Sequence, residues 1–184
     1  LTEARGPGEG FLSELCRRWE SVAGPAAQAG LRTVQSRTGL VVSSSGGLGR
    51  ILGAAYRVGA GARLGRGDQW QPWIALEDAA AGLLWAIEHD DVHGPVNLTA
   101  PEPLRNRDLH RLMSRACGPP SMAVVPQVLL DRAGRTGVAG GTGSIGSMLA
   151  ELLGASQRAV PQALLASGFR FTAPGAASIW GLGA

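Results

Sequence analysis

The chain has 184 residues, 45% of them hydrophobic, a formal charge of +3 and a pI near 9.6. That is enough apolar material for one domain, with no apolar run long enough to cross a bilayer. All 17 basic residues are Arg and they are scattered, Arg17-Arg18 being the one adjacent pair, so the clustering expected of a nucleic-acid binder is not seen.

In chain order, Leu1–Gly10 is polar and Gly-rich and reads as a surface loop, not a signal peptide. A start on Leu rather than Met predicts a fragment or a processed product. Phe11–Ala23 reads as a helix whose buried stripe is Phe11, Leu12, Leu15, Cys16, Trp19, Val22 and Ala23. Gly24-Pro25 breaks it, and Ala26–Gly30 is read as a turn. Leu31–Ser36 is a predicted strand that runs through Arg37-Thr38-Gly39 into the apolar Leu40–Val42 and then the small-residue loop Ser43–Gly47. Leu48–Val58 is a second helix with Leu48, Ile51, Leu52 and Ala55 on one side. Gly59–Gly67 is a Gly-rich loop with Arg63 and Arg66 exposed, and Gln69–Leu76 an extended piece bent at Pro72. Glu77-Asp78 opens a helix to about Glu88, acids in the first turn complementing its dipole. Its expected buried stripe is Leu76, Ala80, Leu83, Leu84 and Ile87.

Gly94–Leu98 is a short strand. Asn106 suits the cap of a helix to Cys117, and Met122–Val125 is another strand. Pro126 begins a helix through Leu129 and Leu130, 132–146 is a loop, and Ser147–Leu153 is helical. Pro161–Ser167 is a short helix stopped by Gly168. Phe169 and Phe171 alternate with polar residues as a last strand, and a weak turn surrounds Ile179-Trp180. Strands alternating singly with helices give an α/β class with mostly parallel pairing. The strands are too few for a complete doubly wound sheet, so the chain reads as the second part of one.

Few motifs carry chemistry. Gly140–Gly146 (GGTGSIG) has the GxxGxxG spacing used to cradle a pyrophosphate at a helix N-terminus. It lacks a buried strand before it and an acid after a second strand, so it reads as a look-alike. Cys16 and Cys117 lie far apart with no CxxC partner and sit on apolar helix faces, which argues against a disulfide framework or zinc site and points to a reducing cytosol. His89 and His93 in HDDVH form a polar turn at a helix end, not a metal cage, and His110 stands alone. No GxSxG elbow is present. Arg37-Thr38-Gly39, at a strand end opening into a small-residue loop, suits a ligand-facing sheet edge, with Arg supplying a charged fork and Gly a close backbone approach. Gln69, Trp70 and Trp73 either line a pocket or pack a core edge.

Taken together, GPGEGFLSELCRRWE (6–20), RTGLVV with the following glycines (37–47), GRGDQWQPWIALEDAA (65–80), GPVNLTAPEPLRN (94–106) and SQRAVPQALLASGFRF (156–171) resemble the C-terminal part of the epimerase family of atypical short-chain dehydrogenase/reductases. These are extended, sugar-nucleotide-epimerase-like and cell-division-inhibitor-like proteins. The resemblance implies an incomplete Rossmann-like fold, the second half of a doubly wound parallel sheet, over 1–125, and a small family-specific C-terminal segment over 126–184 serving the substrate lobe. It implies an NADP or NAD cofactor whose main glycine fingerprint lies outside these residues, and a small-molecule substrate of the nucleotide-sugar kind. By the same resemblance Arg37, Gly39 and Val41 fall beside the nicotinamide side of the cofactor, and Gln69, Trp70 and Trp73 close the substrate pocket. The Tyr-x-x-x-Lys pair of such reductases has no counterpart, since the chain has one Tyr, Tyr56, and no Lys. No catalytic residue is therefore assigned. The expectation is the substrate-side part of an oxidoreductase-like protein, inactive by itself, with a non-catalytic NAD(P)-sensing or interaction module as the alternative.

Overall fold

A computed structural model describes residues 1–8, 11–43, 46–117, 121, 123–126, 128, 129 and 155–176. The elements in order are helices α1 (Phe11–Val22) and α2 (Gly24–Gln28), strands β1 (Val34–Thr38) and β2 (Leu40–Val42), helix α3 (Gly47–Arg57), and strands β3 (Ala62–Leu64), β4 (Trp70–Gln71) and β5 (Trp73–Ala75). Then come helix α4 (Leu76–Glu88), strands β6 (Gly94–Leu98) and β7 (Leu104–Arg105), helix α5 (Asn106–Cys117), strand β8 (Ala123–Val125) and the short helix α6 (Gln162–Ala166). The class is α/β, as the alternation of periods predicts. Among the described residues, no helix is long and apolar enough to cross a membrane. The Gly140–Gly146 loop, the helix expected at 147–153 and the turn at 179–180 lie outside the described residues.

The pairings β1–β6, β2–β5 and β3–β8 are parallel; β4–β7 is antiparallel. Residues 34–42 form nearly one continuous strand, yet it changes partner at Gly39. Thr38 is opposite Leu98 on β6, while Leu40 is opposite Trp73 on β5.

One core joins Ile74, Ala79, Ala86, Val92, Val96 and Leu98 to Leu164 of α6 and to Phe169, with Val34, Val41, Trp85 and Phe171 packed around it. A second joins Val42, Trp73, Ala100 and Ala176. Each fully buried large side chain, such as Ile74, Leu98 or Leu164, contributes on the order of 1.5–3 kcal/mol.

Several faces differ from the sequence reading. The large aliphatics of α4 point outward, with Leu83 48%, Leu84 52% and Ile87 69% exposed, and its buried residues are Asp78, Ala79, Gly82 and Ala86. The reason is volume. Leu98, Leu164 and Phe169 already fill the space under the helix, and a Cβ on Gly82 would stand 2.8 Å from Leu98 Cδ2. On α1, Trp19 and Val22 are exposed, as are Ile51 on α3 and the thiol-bearing Cys16. The Gly59–Gly67 stretch is not all loop, because β8 supplies a partner for β3 within it, and Arg63 is half-buried. Phe169 and Phe171 form no strand. Their rings meet edge to face at 4.8 Å, and Phe169 lies edge-on to Trp85.

Long-range polar contacts fasten these layers. Arg32 donates to the carbonyls of Ala86, Ile87 and Val92 and so caps the C-terminus of α4. His89 stacks on Trp85 with ring centroids 3.5 Å apart. Asp78, only 1% exposed, accepts from Thr172 N, Thr172 Oγ1 and Ala173 N, holding the C-terminal segment against the first turn of α4. Glu3 Oε1 accepts from the backbone N–H groups of Asn97 and Ala163.

Candidate functional site

The partner change at Gly39 is the structural centre of the candidate site. There one strand passes from β6 to β5, so the segments after both neighbours meet it. Gly39 N–H donates to Leu98 O and Leu40 N–H to Pro72 O. A Cβ on Gly39 would stand 2.9 Å from Pro72 O and 3.1 Å from Thr99 Cγ2, so only glycine lets three backbone segments converge here.

The strand residues singled out from sequence lie in line. Arg37 makes a two-pronged ion pair with Glu20 of α1, Nε to Oε1 at 2.7 Å and Nη2 to Oε2 at 2.8 Å, and its Nη1 donates to the carbonyls of Glu3 and Arg5. The hydrogen bonds from Arg37 hold the Glu20 carboxyl below its ordinary range, and those to Glu20 raise Arg37. With most of its donors committed and its charge balanced, Arg37 fixes α1 and the N-terminal segment to β1. Val41 is half-buried and packs against the main core. Among the described residues β1 and β2 each carry one strand neighbour, β6 and β5. The charge of Arg37 is spent within the protein and not offered to a ligand.

The segment from Gln69 lies directly against this strand, since Val41 is in register with Ile74. Two groups of candidates some thirty positions apart in sequence are thus brought together. Gln69 Nε2 donates to Leu64 O. Two guanidiniums lie over the Trp70 ring, Arg105 at 4.5 Å and Arg158 at 5.4 Å from its centroid, and its backbone bonds to Ser156 and Gln157 of the C-terminal segment. Trp73 turns the other way. It is 3% exposed, belongs to the second core, and its Nε1 donates to Glu102 O. Gln69 and Trp70 are thus the half-buried rim of this segment, and Trp73 is buried in the second core.

Tyr56 lies elsewhere, buried on α3, its Oη 2.8 Å from His110 Nδ1, with His110 Nε2 3.0 Å from Ser121 O. Burial, with Cys117 adding to it, pushes Tyr56 up to about 12, away from the neutral range a tyrosine acid/base needs.

The sequence reading overlooked a cluster beside Trp70. A cavity of about 540 Å³ is lined by Arg63, Arg66, Asp68, Arg107, Asp108 and Arg111. Asp68 gathers Arg107 at 2.6 Å, Arg66 at 3.2 Å and Arg105 at 3.8 Å. The signal lay in the i, i+4 spacing of Arg107 and Arg111 on one helix face, but their meeting with Arg63 and Arg66 depends on the β3–α5 packing.

Comparison with known proteins gives a consistent picture. Residues 145–178 match the family model described as a domain of unknown function, DUF1731. The chain is 40% identical over 164 residues to the epimerase family protein Mb2239 of Mycobacterium bovis, covering 89% of this chain and 51% of that protein. It is 34% identical over 164 residues to the epimerase family protein YfhF of Bacillus subtilis, covering 89% of this chain and 50% of that one. The chain spans about half the length of the curated relatives it matches. Among solved structures, the human epimerase family protein SDR39U1 (isoform 2) with NADPH superposes with a TM-score of 0.80 at 27% identity, over 98% of this chain and 57% of that one. A nucleoside-diphosphate sugar epimerase from Corynebacterium glutamicum gives a TM-score of 0.73 at 29% identity, over 97% of this chain and 32% of that one.

Proposed function

We propose that this chain, similar in sequence and fold to the C-terminal part of epimerase family proteins, is the substrate-side part of an NAD(P)-dependent epimerase or oxidoreductase. In this reading residues 1–125 complete the far half of a cofactor-binding sheet and 126–184 form the small C-terminal segment. The observation that carries it is the partner change of strand 34–42 at Gly39, which sets that strand against the segment that follows Gln69 and Trp70. Gly39 and Val41 would contact the nicotinamide side of NADP or NAD through backbone, with Arg37 positioning the strand from its pair with Glu20. Gln69 and Trp70 would face a polar small molecule of the nucleotide-sugar class, with Trp73 as their support. When bound, the cofactor supplies hydride acceptance and return; the residues of this chain orient the substrate and exclude water.

In this reading the grip on the cofactor's pyrophosphate lies outside residues 1–184, and these residues by themselves are expected to be inactive. The test uses the full-length protein with NAD+ or NADP+ and a panel of nucleoside-diphosphate sugars, following the product epimer for epimerisation and nicotinamide absorbance for net oxidation. Turnover supports the reading. A second reading, a cofactor-sensing module without catalysis, is favoured by the lack of Lys and by the raised, buried Tyr56. Tight cofactor binding with no turnover across the panel would establish it instead.

A further inference from the structure

We infer that the arginine-lined cavity between β3, the 65–69 turn and α5 is a binding site for the diphosphate group of a small molecule. Four guanidiniums, Arg63, Arg66, Arg107 and Arg111, face two carboxylates, Asp68 and Asp108. With Arg105 beside Asp68, the local surplus is three positive charges, equal to the formal charge of the entire chain. One carboxylate ligand would balance a single charge, whereas a diphosphate matches the surplus and offers oxygens to several planar guanidinium forks. Asp68 and Asp108 disfavour an extended polyanion, and a volume of about 540 Å³ suits a compact ligand.

Two features mark the cavity as built for an anion. The Nε of Arg63 is buried with no hydrogen-bond partner among the described residues, a state that an acceptor entering the cavity relieves. Gly67, at φ +72°, lets the side chains of Arg63 and Arg107 close over it, since a Cβ there would stand 2.9 Å from Arg63 Cδ and 2.8 Å from Arg107 Cβ. Like charges are thus held together by backbone shape, with Asp68 bound to Arg107 and Arg66 as partial counterweight. Solvent screens the more exposed of these charges, and an anion seated among them would balance the surplus.

The cavity adjoins the candidate substrate rim through Arg105, which touches both Asp68 and the face of Trp70. The anion site stands on the cavity alone; assigning its diphosphate to a nucleoside-diphosphate sugar rests on the substrate-side reading above. The experiment is calorimetric titration of the full-length protein with inorganic pyrophosphate at low and high salt, then competition by a nucleoside-diphosphate sugar and, separately, by NADPH. Saturable binding of pyrophosphate that weakens with salt is expected, together with displacement by the sugar nucleotide and none by NADPH. Arg63→Gln, and independently Arg111→Gln at a more exposed position, should each weaken pyrophosphate binding about tenfold or more with an unchanged circular dichroism spectrum. Absence of pyrophosphate binding, or binding untouched by both substitutions, overturns the anion site. Pyrophosphate binding that depends on Arg63 but is displaced by NADPH and not by the sugar nucleotide overturns the substrate assignment and leaves the anion site standing.

Discussion

Removing the carboxylate of Asp78 should detach the C-terminal segment from α4. Asp78 is 1% exposed and receives three hydrogen bonds, from Thr172 N at 2.8 Å, Thr172 Oγ1 at 2.6 Å and Ala173 N at 2.9 Å. A bond to a charged group contributes about 1.5–3 kcal/mol, and three sharing one carboxylate do not add in full, so Asp78→Ala should cost about 3–5 kcal/mol, as for other broken buried charge networks. For a domain of this size that corresponds to a fall in Tm of roughly 6–20 °C. Asp78→Asn keeps the shape and can keep both Thr172 bonds, but it sets an amide N–H₂ against Ala173 N–H, for a smaller loss of about 1–3 kcal/mol. The assay is thermal unfolding combined with hydrogen exchange at Thr172 and Ala173, whose amides should lose protection before the β1–β6 ladder does. If Asp78→Ala leaves both the midpoint and those two amides as they are in the parent chain, the idea that this carboxylate anchors the segment is wrong.

Two further outcomes test other layers. Because Arg37 depresses Glu20 below its ordinary value of 4.5, the pair contributes fully above that pH, and its contribution disappears as the pH falls through the lower folded-state value. Glu20→Gln should therefore lower stability at neutral pH and flatten the acid limb of a Tm-against-pH curve; an acid limb of unchanged slope argues against it. On α4, Leu84→Gln should leave stability within about 0.5 kcal/mol, whereas Ala86→Leu should cost about 1–3 kcal/mol by overpacking. Denaturant midpoints check this, and the opposite order would mean the helix presents its other face to the sheet.

Much of the architecture was legible in the chain itself. Pro72 at its bend, Gly94–Leu98 and the helix after Asn106 were found at or near their positions, because turn residues and hydrophobic period are local signals. Faces were harder. On α4 both sides carry apolar residues, and the larger side looks like the buried one until Leu164 and Phe169, some eighty positions later, are seen to occupy that space. Asn106 suits a helix start, yet its Oδ1 accepts from Leu64 N on β3 and not from its own helix. Arg37 reads as a ligand's fork from its place at a strand end, and only the approach of Glu20 shows its charge to be spent within the protein.

The sequence by itself determined the α/β alternation, the family resemblance and the strand that carries Gly39. Each depends on residues close together in the chain, where propensity and spacing act. Tertiary structure alone decided what meets at that strand and around it: Pro72 and Thr99 against Gly39, Glu20 on Arg37, and five arginines from 63 to 111 gathered with Asp68 and Asp108. The physical reason is that charge and volume act through space, so scattered cations become a charged cavity only when β3 and α5 pack side by side.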